Sequence, residues 1–226
     1  MTINKEIKKI EEKLDKKETV TRTVLGTDEQ RHLSEITGEY LSIEVEDYAR
    51  ELAELEKQIF KQEEVEKMFK HILFASLSSM PNPPYNITGG QLEKLPAMFA
   101  RYFQPAGLFA CNLHYTTIER VRNSLLKTLN MLSEHPKSRH AYIPIWIPGD
   151  NDELGEMVPS LLGFHIQLTD TKMIFSVNIR SCDIDFLLYD IWYFLNIADF
   201  CLDYLDCAEQ ALTLNINIFN LHKYKL

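Results

Sequence analysis

Four cysteines, eight glycines and two tryptophans are all that 226 residues contain of those types. Cys111, Cys182, Cys201 and Cys207 form no CxxC pair and no metal-finger spacing, which excludes a zinc ribbon or disulfide framework; no metal site is expected. No charged-then-apolar leader of the secretory type opens the chain, so a reduced, cytoplasmic setting is the expectation. Positive charge is also scarce: 24 Lys and Arg against 33 Asp and Glu give a formal charge of -9. Broad nucleic-acid binding needs clustered cations that release counterions, and this balance argues against it, although a few local arginines suffice for a small anion. Uninterrupted apolar runs are lacking as well. The most apolar stretch, Ile184 to Leu205, is broken by Asp185, Asp190, Asp199 and Asp203, a pattern for a buried or amphipathic helix and not for a membrane span.

What is present is ordinary globular material, 45% hydrophobic and 25% charged, enough for one sizeable core. Residues 1 to about 20 read as a Lys/Glu-rich helix with Ile7, Ile10 and Leu14 at helical spacing. A polar stretch containing Gly26 and Gly38 follows, then a long periodic helix over 45–70 with Tyr48, Leu52, Leu55, Ile59 and Phe60 on one stripe. The segment from Pro81 to Gly90 holds three prolines and a Gly pair and marks an internal boundary. The division expected is a helical N-terminal region, 1–80, and a second region, 81–226, within one structural domain.

Beyond the boundary, Ile118, Val121, Leu125, Leu129 and Leu132 predict a helix over 116–134, stopped at His135-Pro136. A strand is expected at 141–147. Residues 163–180 form two β-branched and aromatic runs joined by Asp170-Thr171, the pattern of a hairpin. A helix over 186–205 and an alternating strand over 212–219 complete the reading. Helices and strands in this order indicate an α/β (α+β) sheet with packed helices.

The hairpin and its exit, Phe164 to Lys172 continuing into Arg180-Ser181-Cys182-Asp183, resemble the thymidylate synthase family's signature, in which a hairpin leads into Arg-Ser-x-Asp and a long apolar helix. Two further pieces fall in the same order. His135-Pro136-Lys137-Ser138-Arg139-His140 is similar to the family's Asp-Ser-Arg-Arg segment, and His222-Lys223-Tyr224 to its His-x-Tyr. Thr21-Arg22-Thr23 ahead of Gly26 resembles its phosphate-binding Arg-Thr-Gly loop. The likeness covers roughly residues 98–226 and implies a thymidylate synthase-like sheet with an N-terminal helical extension.

It also implies roles. Arg180, Arg22 and Ser181 would hold the phosphate of a pyrimidine nucleoside monophosphate, guanidinium groups suiting its paired oxygens. Arg139 would reach the phosphate of a neighbouring subunit, since family members build each site across a homodimer. His222 and Tyr224, on one side of a strand with Lys223 opposite, would bind the sugar 3'-hydroxyl. Asp183 begins the helix and suits its N-cap, a role compatible with the contact to the base that the resemblance implies for it. Asp190, in Leu188-Tyr189-Asp190-Ile191 where the family has Pro-Phe-Asn-Ile, would meet the base, with one residue fewer than usual between it and Asp183.

The catalytic position departs from the pattern. The family's Cys, twenty residues before the Arg, is Ser160 here, and the His after it is Leu161. A thiolate adds readily to C6 of a pyrimidine; a serine hydroxyl requires a neighbouring base. Cys182 reads as a packing residue. Only two residues follow Tyr224, so the family's closing C-terminal segment is expected to be missing. The resemblance therefore implies a C5 methyl- or hydroxymethyltransferase-like protein that uses 5,10-methylenetetrahydrofolate and prefers dCMP to dUMP. The alternative is an inactive homologue serving as nucleotide sensor or protein-interaction scaffold.

Overall fold

A computed structural model describes residues 2–23, 30–45, 47–59, 115–151, 159–207 and 211–224. The Pro81–Gly90 boundary, Phe60 and Cys111 lie outside them. The order of elements is α1 (Thr2–Asp15), β1 (Val20–Thr23), β2 (Gln30–Val45), α2 (Tyr48–Ile59), α3 (Tyr115–Glu134), β3 (Tyr142–Pro144), a 3-10 turn (Pro148–Asn151), β4 (Leu161–Leu168), β5 (Lys172–Ile179), β6 (Cys182–Asp183), α4 (Ile184–Tyr204) and β7 (Ala211–Tyr224). Seven strands form one mixed sheet in the order β1-β2-β7-β5-β4-β3, with β6 on β7. β7 is antiparallel to β2 and parallel to β5 and β6, so α4 is the crossover that returns the chain to the same direction.

Period-2 alternation gives the sheet two different faces. One register row, Ile43–Leu214–Phe175–Ile166, is buried throughout. The next row, Ser42–Asn215–Ser176–His165–Tyr142, contains no buried residue. Within it, Ser42 Oγ donates to Asn215 Oδ1 at 2.8 Å. On that open side Tyr40, Phe219 and Tyr142 are 56%, 50% and 45% exposed. Gly163 is required where Tyr142 crosses β4: its φ is +156°, and a Cβ there would collide with the Tyr142 hydroxyl and lie 2.6 Å from the Ile143 carbonyl oxygen.

The helices cover the core by their apolar stripes. Ile3, Ile7, Ile10 and Leu14 of α1 are buried at spacings of three and four, as are Val121, Leu125, Leu129 and Leu132 of α3. α2 leans on α4, with the Tyr189 hydroxyl donating to the Ile59 carbonyl at 3.1 Å and Trp192 Nε1 to Glu56 Oε1 at 3.1 Å. α4 is buried nearly all round, which explains its apolar sequence; Asp185 and Asp203 face solvent while Asp190 does not. Among the described residues no helix is long and apolar enough to cross a membrane.

α3, the hairpin and α4 match the expected bounds within a residue or two, whereas α1 stops at Asp15, β3 covers only Tyr142–Pro144 of the expected 141–147, and β7 extends the expected 212–219 to Ala211–Tyr224. The largest difference lies in the N-terminal part, which contributes strands β1 and β2 as well as helices. β2 covers most of what reads as a polar stretch in the sequence, and it pairs with β7 along almost its whole length. The sheet thus joins residues 30–45 to residues 211–224, with residues 20–23 paired on the far side of β2. α2 is described only as far as Ile59.

Candidate functional site

The hairpin ends with β5 at Ile179. Arg180 and Ser181 fall between β5 and β6, which pair with β7 in one continuous register, Ile179 opposite Ile218 and Cys182 opposite Leu221. The main chain of Arg180 is held from both sides: its N–H donates to the Ser160 carbonyl at 2.7 Å, and its carbonyl accepts from the Asn220 N–H at 3.1 Å. The Arg180 side chain lies over the indole of Trp146, with Cζ 5.5 Å from the ring centroid, a cation–π distance. Arg180 reaches solvent, yet partial desolvation by its surroundings lowers its pKa from the usual arginine value. A guanidinium stays cationic through such a shift.

Ser160 is nearly enclosed, 6% exposed, at the start of β4 beside Arg180. Ser181 Oγ lies 3.4 Å from His222 Nδ1. His222 stands in register with Asp183 on one side and Glu35 on the other, and its ring meets Tyr224 edge-on with centroids 5.1 Å apart. Lys223 turns away to bond Asp15 at the end of α1, 2.9 Å, an arrangement that raises its pKa chiefly through that hydrogen bond. The alternation expected for His222 and Tyr224 is therefore present.

Asp183 is 1% exposed and caps α4, its Oδ1 accepting from the Asp185 N–H at 3.1 Å. Cys182 is fully buried, its Sγ 3.4 Å from the Asp183 carbonyl oxygen and 3.5 Å from Asp190 Oδ2, which suits a packing residue. Asp190 is fully enclosed. It is neither a solvent-facing residue of a surface helix nor, in this conformation, part of an open wall.

Arg22 stands on β1 and is spoken for by Glu35 of β2, which accepts from its guanidinium. Glu35 also accepts from Asn220 Nδ2 at 3.5 Å. The Arg22 hydrogen bond, above all, holds the Glu35 carboxyl below the usual range, helped by Asn220 and by the charges of Arg22 and His222 against a smaller opposing effect of burial. Arg22 therefore reaches the same part of the sheet as His222, through an intervening carboxylate. Arg139 lies elsewhere in the chain's own fold. Ala141 accepts from the Ile166 N–H, and Lys137 approaches Asp170 of the hairpin turn at 3.7 Å, so the 135–140 segment sits at the turn end of the β4–β5 pair. Arg180 is at the other end, an eight-residue strand away, or roughly 25 Å.

Ser181, Asp183, His222 and Tyr224 are thus brought together, Arg180 adjoins Ser160 through its main chain while its side chain lies on Trp146, Arg22 is one carboxylate removed, Asp190 is enclosed and Arg139 lies apart. Sequence reasoning missed Trp146, Glu35 and Asn220. Trp146 has one signal, its position next to a strand that precedes the Pro159-Ser160 pair; Glu35 has none, because its role depends on the β2–β7 register. No family model matches the chain, and no curated protein matches it significantly.

Proposed function

We propose that this chain binds a pyrimidine deoxynucleoside monophosphate in the manner of a C5 methyl- or hydroxymethyltransferase, taking dCMP in preference to dUMP. The observation that carries the reading is the juxtaposition at the strand exit: Arg180 beside Ser160, and Ser181 within 3.4 Å of the His222 ring that Tyr224 abuts. A dianionic phosphate suits the accessible guanidinium of Arg180 and the Ser181 hydroxyl, and His222 and Tyr224 offer polar atoms to a sugar hydroxyl. Ser160 would face C6 of the base, with Asp183 and Asp190 behind the base-binding side. The site would be completed across a homodimer by Arg139 of the neighbouring subunit, the open polar and aromatic face of the sheet meeting its twin. Arg22 would join only by leaving Glu35.

The one-carbon donor implied is 5,10-methylenetetrahydrofolate. A pterin needs an open aromatic or apolar face, and the ring beside Arg180, that of Trp146, is covered by the guanidinium. That face of Trp146 is therefore not open to a pterin, and no step is assigned to the folate. That observation, with serine in place of a thiol, favours a second reading in which the chain binds the nucleotide without transferring carbon, as a sensor or scaffold. Calorimetry with dCMP and dUMP tests binding: an Arg180→Ala variant that binds both as well as the unaltered chain would remove the proposal. Tritium release from 5-tritiated dCMP and dUMP, with and without the folate, separates enzyme from sensor.

A further inference from the structure

A second charged assembly stands behind Arg180. Arg120, on α3, and Asp150, in the 3-10 turn, form a forked pair: Nη1 donates to Oδ2 at 2.7 Å and Nη2 to Oδ1 at 2.9 Å. Arg120 Nη1 also donates to the Ile145 carbonyl at 2.6 Å, and Asp150 Oδ2 accepts from the Ile147 N–H at 2.9 Å. Residues 145 and 147 are thus tied to the same pair, one through its carbonyl and the other through its N–H. The N–H groups of Ile145 and Trp146 both converge on the Leu162 carbonyl at 3.0 Å, fastening the segment to β4. Trp146 is therefore pinned on both sides along the chain, and its ring is the surface on which the Arg180 guanidinium rests.

An ion pair with one partner buried and the other half-buried contributes little net stability over apolar side chains of the same volume, so stability alone gives a poor account of it. Geometry gives a better one. A free arginine samples many rotamers, all of which are surrendered when it grips an anion; one already seated on a fixed ring has surrendered most of them beforehand. The carboxylate is well suited to hold that ring, since the Arg120 hydrogen bond keeps Asp150 ionised below the usual carboxylate range.

We propose that Arg120 and Asp150 are positioning residues for Arg180: they fix residues 145–147 so that Trp146 aims the guanidinium at an incoming phosphate. The inference rests on the reading of Arg180 as the phosphate ligand. It is tested on the full chain labelled with 5-fluorotryptophan, whose two tryptophans give two fluorine resonances, Trp146 being the one lost in Trp146→Phe. Arg180→Ala should shift the Trp146 resonance in the otherwise unaltered chain and shift it far less in an Asp150→Asn background. In parallel, Asp150→Asn and Arg120→Lys, which keeps the charge but loses the fork, should weaken both dCMP and inorganic phosphate about tenfold. The core Trp192 resonance should stay in place, showing that the fold persists. A shift at Trp146 of the same size in both backgrounds, or unchanged affinities in both variants with Arg180→Ala still abolishing binding, would overturn the positioning role and leave the nucleotide reading standing. If instead Arg180→Ala leaves dCMP affinity untouched, the nucleotide reading falls, and the fluorine measurement still decides whether the pair aims Arg180.

Discussion

The N–H of Arg180 donates to the carbonyl of Ser160 at 2.7 Å, so the residue expected at the nucleophile position and the one expected on phosphate are neighbours through their main chains. The replacement Ser160→Cys should therefore place a thiol beside a pyrimidine held by Arg180. With 5-fluoro-dUMP or 5-fluoro-dCMP, mass spectrometry should show an adduct absent from the unaltered chain. A variant that still binds nucleotide but never forms the adduct would separate Ser160 from the base.

Asp183 is already committed to the first turn of α4. Asp183→Ala should lower stability by about 1 kcal/mol, as loss of a helix cap does, whereas Asp183→Asn should keep the cap and most of that stability. Chemical denaturation reads the two directly. Any drop in dCMP affinity in Asp183→Asn, where the cap persists, then measures ligand contact alone; equal denaturation midpoints for the Ala and Asn variants would contradict the capping role.

Base preference is expected to follow Asp190. Uracil offers an acceptor at C4 and a donor at N3, which an Asn amide matches; cytosine offers an amino donor at C4, which a carboxylate accepts. A buried polar group left unmatched costs about 1 to 3 kcal/mol, so dCMP should bind roughly 5 to 150 times more tightly than dUMP. Asp190→Asn should reverse the order in calorimetry. Equal affinities, unmoved by the substitution, would mean that the enclosed carboxylate belongs to the Cys182 neighbourhood and to no ligand.

The distance between Arg139 and Arg180 within one chain makes the oligomer testable. Arg139→Ala and Arg180→Ala subunits, each deficient alone, should regain binding sites when mixed, and sedimentation at micromolar concentration should show a dimer, whose interface is expected to bury more than about 1,200 Å². A strictly monomeric chain would rule out a site shared between subunits.

Local pattern made much of this molecule legible, and long-range pairing hid the rest. The hairpin announces itself because Asp170-Thr171 interrupts two β-branched runs, and in the structure Thr169 donates to and accepts from Lys172 across that turn. α3 and α4 are clear because their apolar spacing reports burial directly. β2 is obscured by Glu35, Glu39 and Glu44, whose charges are met by partners distant in sequence: Arg22 and Asn220 for Glu35, Lys13 for Glu39, Thr213 and Lys172 for Glu44. A strand stabilised by β7 looks polar until β7 is beside it. The same reason conceals the Arg120–Asp150 pair, which joins a helix to a short turn through no recognisable motif.

The place of β7 has a consequence for how the chain is made. It lies between β2, completed early in synthesis, and β5, and Val45 waits for Leu212 as its partner. Until residues 211–224 emerge, β2 and β5 each present an unpaired edge, the form of backbone most apt to pair with other chains. Sheets whose central contacts join distant residues also form slowly. Protein production should accordingly be governed by the late strand: substitutions in β7 that leave the finished fold tolerably stable would still reduce soluble yield, by prolonging the interval in which the nascent sheet stands open.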